Sequence, residues 1–500
     1  MIRFSPNPNQ GHLIRWHEWD EEAFRRAQEK DKPIMLFLTA FWCRYCQRMD
    51  EGAFSDAENI ALLNAYFVAI RADDAQRPDV NTRYNLNGWP TIGFMTPQGQ
   101  LLAATNYLPS EEFGNVLIRV HMTYQEKKEE IRALEKTQDQ TSQHAADSEG
   151  QKGVDASGAS TITEMILAHG DHVNGGYGRG QKFIHPEANA FLLSRYENTG
   201  DTNCLDHALL TLDKMRQGAI HDGEEEGYFR TTTGADWSQP HREKLLAEQA
   251  GLLNNCLTAF RITKEPIYAR MAEGIIDYID RKLSDPVNGA FYGCEDFLRY
   301  ETTPPPGAGE FFTILDKCIY TDANAQAIIA YFEAAALLGK TDCKERALKA
   351  LDFLWLNCRS EDGSMFHYFD GAPHLAGMLN DQSRMGMALL AAYRDRSDEK
   401  FLTRAEELAE YILTKVKNED GGYYDLPTQG PAYLSFRLTL IEQNGVAALF
   451  FLQLFDATQK VRFKEGAAWA LRAFTGDFSS YGIHAASFGQ ALGEYYRHRD

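Results

Sequence analysis

The apolar positions of the first 125 residues fall in short runs whose period changes from one element to the next. In EWDEEAFRRAQEK (18–30) they recur at helical spacing among charges, which predicts an amphipathic helix. PIMLFLTAFW (33–42) is an unbroken apolar run of strand length, the pattern of a strand buried on both faces. Helix is predicted from the residues after it to about Asn64, and a second strand at FVAIRAD (67–73). TIGFMTPQGQLLAAT (91–105) reads as a hairpin turning at Pro97-Gln98-Gly99, and a final helix as running from about Ser110 to Arg132.

From residue 161 the pattern becomes a repeat. Amphipathic stretches alternate with aromatic–glycine signals: Asn174-Gly-Gly-Tyr177, Glu226-Gly-Tyr-Phe229, Asn288-Gly-Ala-Phe291, Asp362-Gly-Ser-Met-Phe366, Asp420-Gly-Gly-Tyr-Tyr424 and the weaker Asp477-Phe-Ser-Ser-Tyr481. Six recurrences of one helix–turn–helix unit predict a closed or stacked array. First helices are expected near 161–169, 201–217, 265–283, 341–358, 398–416 and 460–475. Their partners are expected near 186–198, 243–262, 322–339, 380–396, 441–457 and 484–497. The partners, such as AQAIIAYFEAAALLG, are the more apolar set and should form an inner ring inside charged outer helices. Inner-to-outer connections are only a few residues, whereas outer-to-inner connections are long, up to 284–321. The long loops must therefore gather at one end, where the inner helices begin and where function is expected.

Residues 139–160 are rich in Gln, Ser, Gly, Asp and Ala, with little to bury, and predict a mobile linker. The expected organisation is one domain over 1–137, a linker over 138–160 and a second domain over 161–500.

The formal net charge of −20 disfavours nucleic acid and anionic membrane surfaces as partners. No stretch is apolar for long enough to predict a bilayer span, and the N-terminus does not read as a signal peptide. Of eight cysteines only Cys43 and Cys46 are closely spaced. The other six read as buried thiols in a reducing compartment, which makes the cytoplasm the expected location.

Cys43-Arg44-Tyr45-Cys46 stands between a predicted strand and a helix. A helix N-terminus favours thiolate at the first cysteine, and Arg44 adds a cation beside it. Cys43 is then the attacking sulfur and Cys46, one turn on, resolves the mixed disulfide. A zinc ligand pair and two inert thiols are the other readings; a closed zinc site needs two more ligands, and no second pair exists. No cofactor or resident metal is called for.

The order strand, Trp-Cys-x-x-Cys, helix, then Gly88-Trp89-Pro90-Thr91 before a strand, resembles the thioredoxin fold. The resemblance implies that Trp89–Pro90 is cis, that Pro90 lies against the cysteine pair, and that protein thiols or disulfides are the partners. It departs at Phe37, where thioredoxins carry a buried aspartate that serves the second cysteine.

In the second half, polar residues cluster where the inner helices begin: His185, Glu187 and Asn189; Trp237, His241, Glu243, Lys244 and Gln249; Asp322, Asn324 and Gln326; Asp381, Gln382 and Arg384; Glu442, Gln443 and Asn444; His484. Asp322 and Asp381 stand where N-caps are expected. Amides inside apolar runs, Asn189, Gln249 and Asn444, are costly to bury alone and are expected to face a wet central cavity. Glu243 with Asp322 or Asp381 is the candidate carboxylate pair for glycoside chemistry, and His241 suits an epimerase-like proton transfer. A structural network at a helix start is the other reading of Glu243 and His241.

The layout resembles the (α/α)6 toroid of six-hairpin glycosidases and N-acylglucosamine 2-epimerases. GGYGRGQKFIHP (175–186), GYFRTTTGADWSQPHREKLLAEQA (227–250), RPDV and GWPT are similar to motifs of the spermatogenesis-associated protein 20-like family, which joins a thioredoxin-like domain to such a barrel. Lys182, Phe183, Arg230, Trp237, Pro240, His241, Glu243, Lys244 and Gln249 match its usual forms; Arg44-Tyr45, Gln47, Asn87 and Arg242 depart from them. The implied fold class is an α/β thioredoxin-like domain followed by an all-α (α/α)6 toroid. Three functions follow as expectations: thiol–disulfide exchange, with the barrel recognising partners; a sugar-modifying barrel acting on a sugar or glycoconjugate; and a redox-regulated scaffold without turnover.

Overall fold

In the computed structural model, which describes residues 2–131, 157–299 and 311–497, the chain divides into two compact units. One comprises Met1–Gly150 with Thr428–Arg437, the other Gln151–Pro427 with Leu438–Asp500. Most of the expected linker, up to residue 156, lies outside the described residues.

The first unit contains β1 (Trp16–His17), α1 (Glu21–Lys30), β2 (Ile34–Thr39), α2 (Arg44–Glu51), α3 (Ala57–Tyr66), β3 (Val68–Asp73), α4 (Pro78–Tyr84), β4 (Thr91–Met95), β5 (Leu101–Thr105) and α5 (Ser110–Glu126). The sheet order is β1-β3-β2-β4-β5. Central strand β2 runs parallel to β3 and antiparallel to β4, and every one of its residues is buried, as its unbroken apolar run requires. The single helix expected after the cysteines is two. Gly52 ends α2, and Asp56 restarts the chain as α3 by accepting the N–H groups of Glu58 and Asn59. Helix α4, absent from the sequence expectation, is a short turn opened by Pro78, whose missing N–H costs nothing at a helix start.

The second unit is built from twelve α-helices among the described residues. They are α6 (Gly158–His169), α7 (Pro186–Thr199), α8 (Thr202–Gln217), α9 (Leu246–Thr263), α10 (Pro266–Tyr278), α11 (Thr321–Leu338), α12 (Thr341–Asn357), α13 (Leu379–Arg396), α14 (Glu399–Lys415), α15 (Ile441–Thr458), α16 (Val461–Arg472) and α17 (Ala486–Arg497). Inner helices α7, α9, α11, α13, α15 and α17 each pack on the next, and α17 returns to α7, so the ring closes. The inner helix α15 buries eleven of its eighteen residues, whereas the outer helix α14 buries only the stripe Phe401, Ala405, Leu408, Ala409, Tyr411 and Ile412. The long 284–321 connection is not simply a loop: β6 (Cys294–Arg299) pairs antiparallel with β7 (Phe311–Asp316). None of the described helices is long and apolar enough to cross a membrane.

Candidate functional site

Cys43 is the N-cap of α2, with its Sγ 3.0 Å from the N–H of Cys46. The two cysteines form a disulfide with Cα atoms 5.2 Å apart. Cys43 is 5% exposed and Cys46 is 2% exposed, so the bond meets solvent only at its edge. The Trp89–Pro90 bond is cis, and Trp42, just before Cys43, meets Trp89 edge to face at 5.2 Å. Tyr45 and Tyr107 pair at 5.3 Å on the exposed side. The other six cysteines are buried thiols; burial pushes Cys204, Cys343 and Cys358 up to about 12, out of reach of exchange chemistry.

Phe37 is fully buried, so β2 brings no carboxyl beneath the disulfide. A different buried charge pair occupies the layer under α2. Arg71 of β3 donates from both terminal nitrogens to Asp50 of α2, at 2.7 and 2.9 Å.

In the barrel the repeated turns explain most of the motif residues. Gln249 accepts the N–H of Tyr228 at 2.9 Å and donates to its carbonyl at 2.6 Å. Asn324 holds Phe291 in the same way, Gln382 holds Met365, and Asn444 holds Tyr423. Asn189 accepts the hydroxyl of Tyr177 at 2.9 Å. This corrects the expectation of a wet cavity around these amides: they are fully buried, and turn peptides, or for Asn189 the Tyr177 hydroxyl, satisfy them. Lys244, also fully buried, donates to Asp222 at 2.7 Å and to the Glu226 carbonyl. Lys182 repeats the device with Asp171 at 2.9 Å. Trp237 donates its indole N–H to Asn174 at 2.7 Å. These candidates brace loops.

Glu243 pairs with Arg230 at 2.7 Å, and the His241 ring, 47% exposed, stands 3.9 Å from it. Asp322 and Asp381 come together in the first turns of α11 and α13 rather than as their N-caps, which are Tyr320 and Met378. Between them lies His367 of β8 (Phe366–Phe369), a residue the sequence had not marked, its Nδ1 3.1 Å from both Asp381 oxygens. One ligand atom from each of Asp322, His367 and Asp381 lies within 4.8 Å of the others, a spacing that a cation would fit. Burial pushes the Asp381 carboxyl up to about 6. Asn380 donates to Asp322 at 2.9 Å.

Five inner helices carry a carboxylate in the first turn: Glu187, Glu248, Asp322, Asp381 and Glu442. This is where unpaired N–H groups favour negative charge. A cavity of about 260 Å³ opens among these helix starts, lined by His185, Glu187, Asn380, Arg384, Glu442 and His484 together with apolar neighbours. Arg384 faces Glu187 at 3.5 Å, and His484 Nδ1 bonds Glu442. Burial pushes His185 down to about 4, aided by nearby His484, while the bond to Glu442 raises His484. Burial also lifts Glu248 to about 8, and its Oε2 has no hydrogen-bond partner among the described residues.

Residues 8–143 match the family model Thioredox_DsbH, described as a protein of unknown function, DUF255. The first unit carries a Thioredox_DsbH domain. Human spermatogenesis-associated protein 20 is 32% identical over 334 residues, which cover 62% of this chain and 41% of that protein. This chain thus spans about two fifths of the length of that relative. The thiol:disulfide interchange protein DsbD of Yersinia pestis is 32% identical over 96 residues, 17% of this chain and 16% of its own. Beyond the Thioredox_DsbH domain, cellobiose 2-epimerase from Spirochaeta thermophila superposes with a TM-score of 0.55 at 15% identity, covering 69% of this chain and 97% of that one. That likeness establishes the six-hairpin toroid as the fold of the barrel.

Proposed function

We propose that the Thioredox_DsbH domain performs thiol–disulfide exchange on protein thiols or disulfides. Cys43 is the attacking sulfur, Cys46 the resolving one, and Pro90 the residue beside which the partner chain docks. The observation that carries this reading is the Cys43–Cys46 disulfide at the start of α2, with Cys43 as the cap. The helix start stabilises the thiolate that opening the bond releases. The similarity to a thiol:disulfide interchange protein supports the same chemistry, and six buried free thiols suit a cytoplasmic setting. Cys46→Ala should accumulate mixed disulfides through Cys43 in cells. Their absence, with the variant folded, overturns the reading.

The cavity favours a second activity in the barrel, the modification of a sugar or glycoconjugate. About 260 Å³ lined by carboxylates, amides, imidazoles and a guanidinium suits a small polyhydroxylated ligand. His185, held neutral, can accept a proton, and His484, bonded to Glu442, can donate one. Six-hairpin neighbours that act on sugars, such as the cellobiose 2-epimerases, make this the first class to test. Calorimetry of the full chain against a panel of mono- and disaccharides should show binding that Arg384→Met abolishes. No heat across the panel leaves the barrel as a partner-binding scaffold.

A further inference from the structure

The buried pair Asp50–Arg71 is the charged group that the exchange reaction has not yet used. Asp50 stands on the buried face of α2: Cys43, Cys46 and Asp50 are at i, i+3 and i+7, and Cys46, Gln47, Met49 and Asp50 are all buried. Asp50 stands four positions after Cys46, which puts the two side chains one turn apart, about 6 Å between Cβ atoms. Arg71 is paired across the sheet with Phe37, and its guanidinium carbon lies 4.8 Å from the Phe4 ring, 5.5 Å from Trp16 and 4.9 Å from Phe37. Both terminal nitrogens of that cation are turned to Asp50, and Asp50 also accepts the N–H of Ser5 at 2.8 Å.

The rest of the surroundings of Cys46 is almost free of charge. Strands β2 and β4 contain no ionisable residue, and α3 and α5 meet the same core through Ile60, Leu63, Phe113 and Leu117. The nearby charges besides that pair include Arg44 and Arg48 on α2, Glu51 at its end, which is turned to Ser5 and Asn7, Asp73 at the end of β3, and Arg3, which lies over Phe41 at 5.2 Å. Asp50 is thus the carboxylate on the buried face of α2 itself.

We propose that Asp50, clamped by Arg71, is a positioning residue for the exchange reaction: its fixed negative charge keeps the Cys46 sulfur protonated once the disulfide opens. The inference rests on the thiol–disulfide reading given above. A partner dithiol supplies the electrons. Its first thiolate attacks Cys43 Sγ, a partner–Cys43 bond forms, the Cys43–Cys46 bond breaks, and the electron pair leaves on Cys46 Sγ, which takes up a proton. The partner's second thiolate then attacks its own sulfur in the mixed disulfide, so the partner departs as a disulfide and Cys43 leaves as thiolate. Two electrons have passed to the cysteine pair. In reverse, Cys46 must lose its proton before it can attack, and a like charge one turn away opposes that loss. Asp50 therefore separates the two sulfurs: the helix start ionises Cys43, and the buried carboxylate restrains Cys46.

The test uses the full-length chain, reduced and then alkylated with iodoacetamide across a pH series, with Cys43 and Cys46 peptides followed separately by mass spectrometry. The same proteins are equilibrated against glutathione redox buffers. Asp50→Asn should lower the pH at which Cys46 reacts by about one unit and make the pair easier to reduce, with Cys43 moving less. Asp50→Glu, which keeps the charge, should retain the wild-type profile. Because Asp50→Asn strands the Arg71 cation, the double variant Asp50→Asn, Arg71→Met is measured beside it; removing both charges of a buried pair is tolerated better than removing one. Its Cys46 should also react at lower pH than wild type. A folded double variant with an unshifted Cys46 overturns the proposal. A wild-type pair that fails to exchange with glutathione overturns the redox reading itself.

Discussion

Gln249 grips both peptide groups of Tyr228, accepting its N–H at 2.9 Å and donating to its carbonyl at 2.6 Å. The bond pair ties an inner helix to the turn that precedes it, and Asn324, Gln382 and Asn444 repeat it around the ring. Each amide satisfies a donor and an acceptor that would otherwise be buried unpaired.

Gln249→Ala should therefore lower unfolding stability by about 2–4 kcal/mol, since two backbone groups lose their partners at about 1–3 kcal/mol each, with some relaxation. Denaturant unfolding of the full chain measures this. A loss below about 0.5 kcal/mol would mean that water or the helix end replaces the amide.

Lys244 and His241 stand three residues apart in one motif but have unlike fates. Lys244→Ala strips a buried ion pair from Asp222 and should cost about 3–5 kcal/mol. His241→Ala, at a half-exposed site, should change stability by no more than about 0.5 kcal/mol. Thermal unfolding of the two variants separates the bracing lysine from the half-exposed histidine.

His185 and His484 should give the barrel opposite pH responses. The folded value of His185 is pushed down to about 4, below its ordinary 6.5, so the unfolded chain binds the extra proton. Its contribution is intact above 6.5 and is lost as pH falls toward 4. His185→Gln should then be less sensitive to acid than wild type across that window. His484 is raised by Glu442, so its contribution is present at low pH and fades as pH rises through its folded value. Unfolding free energies measured against pH for His185→Gln and His484→Gln check both signs.

Asp381 adds a third titration. Its carboxyl is raised from 3.8 to about 6, chiefly by burial, so ionising it weakens the fold. Wild type should gain stability relative to Asp381→Asn as pH falls from about 6 to 4, and lose that gain as pH rises. An identical pH dependence in both proteins would show that His367 fully compensates the charge.

The sequence alone determined what depends on neighbours along the chain. The change from strand to helical period, the six aromatic–glycine turns and the Cys-x-x-Cys before a helix specify both folds and the reactive pair. These signals are local: apolar spacing decides which face is buried, and glycine is what a positive φ demands in turns such as Gly175–Gly176, at 69° and 68°. The polar residues at the inner helix starts were also visible, and His185, Glu187, Arg384, Glu442 and His484 do line one cavity. Their roles were decided only by the tertiary structure. Closure of the ring turns Gln249, Asn324 and Asn444 onto turn peptides instead of the cavity, and brings His367 between Asp322 and Asp381. The sheet likewise sets Arg71 under Asp50, across 21 residues of chain. A hydrogen bond or ion pair between distant residues exists only once packing has fixed both partners within about 3 Å and excluded water, and no spacing rule along the sequence encodes that approach.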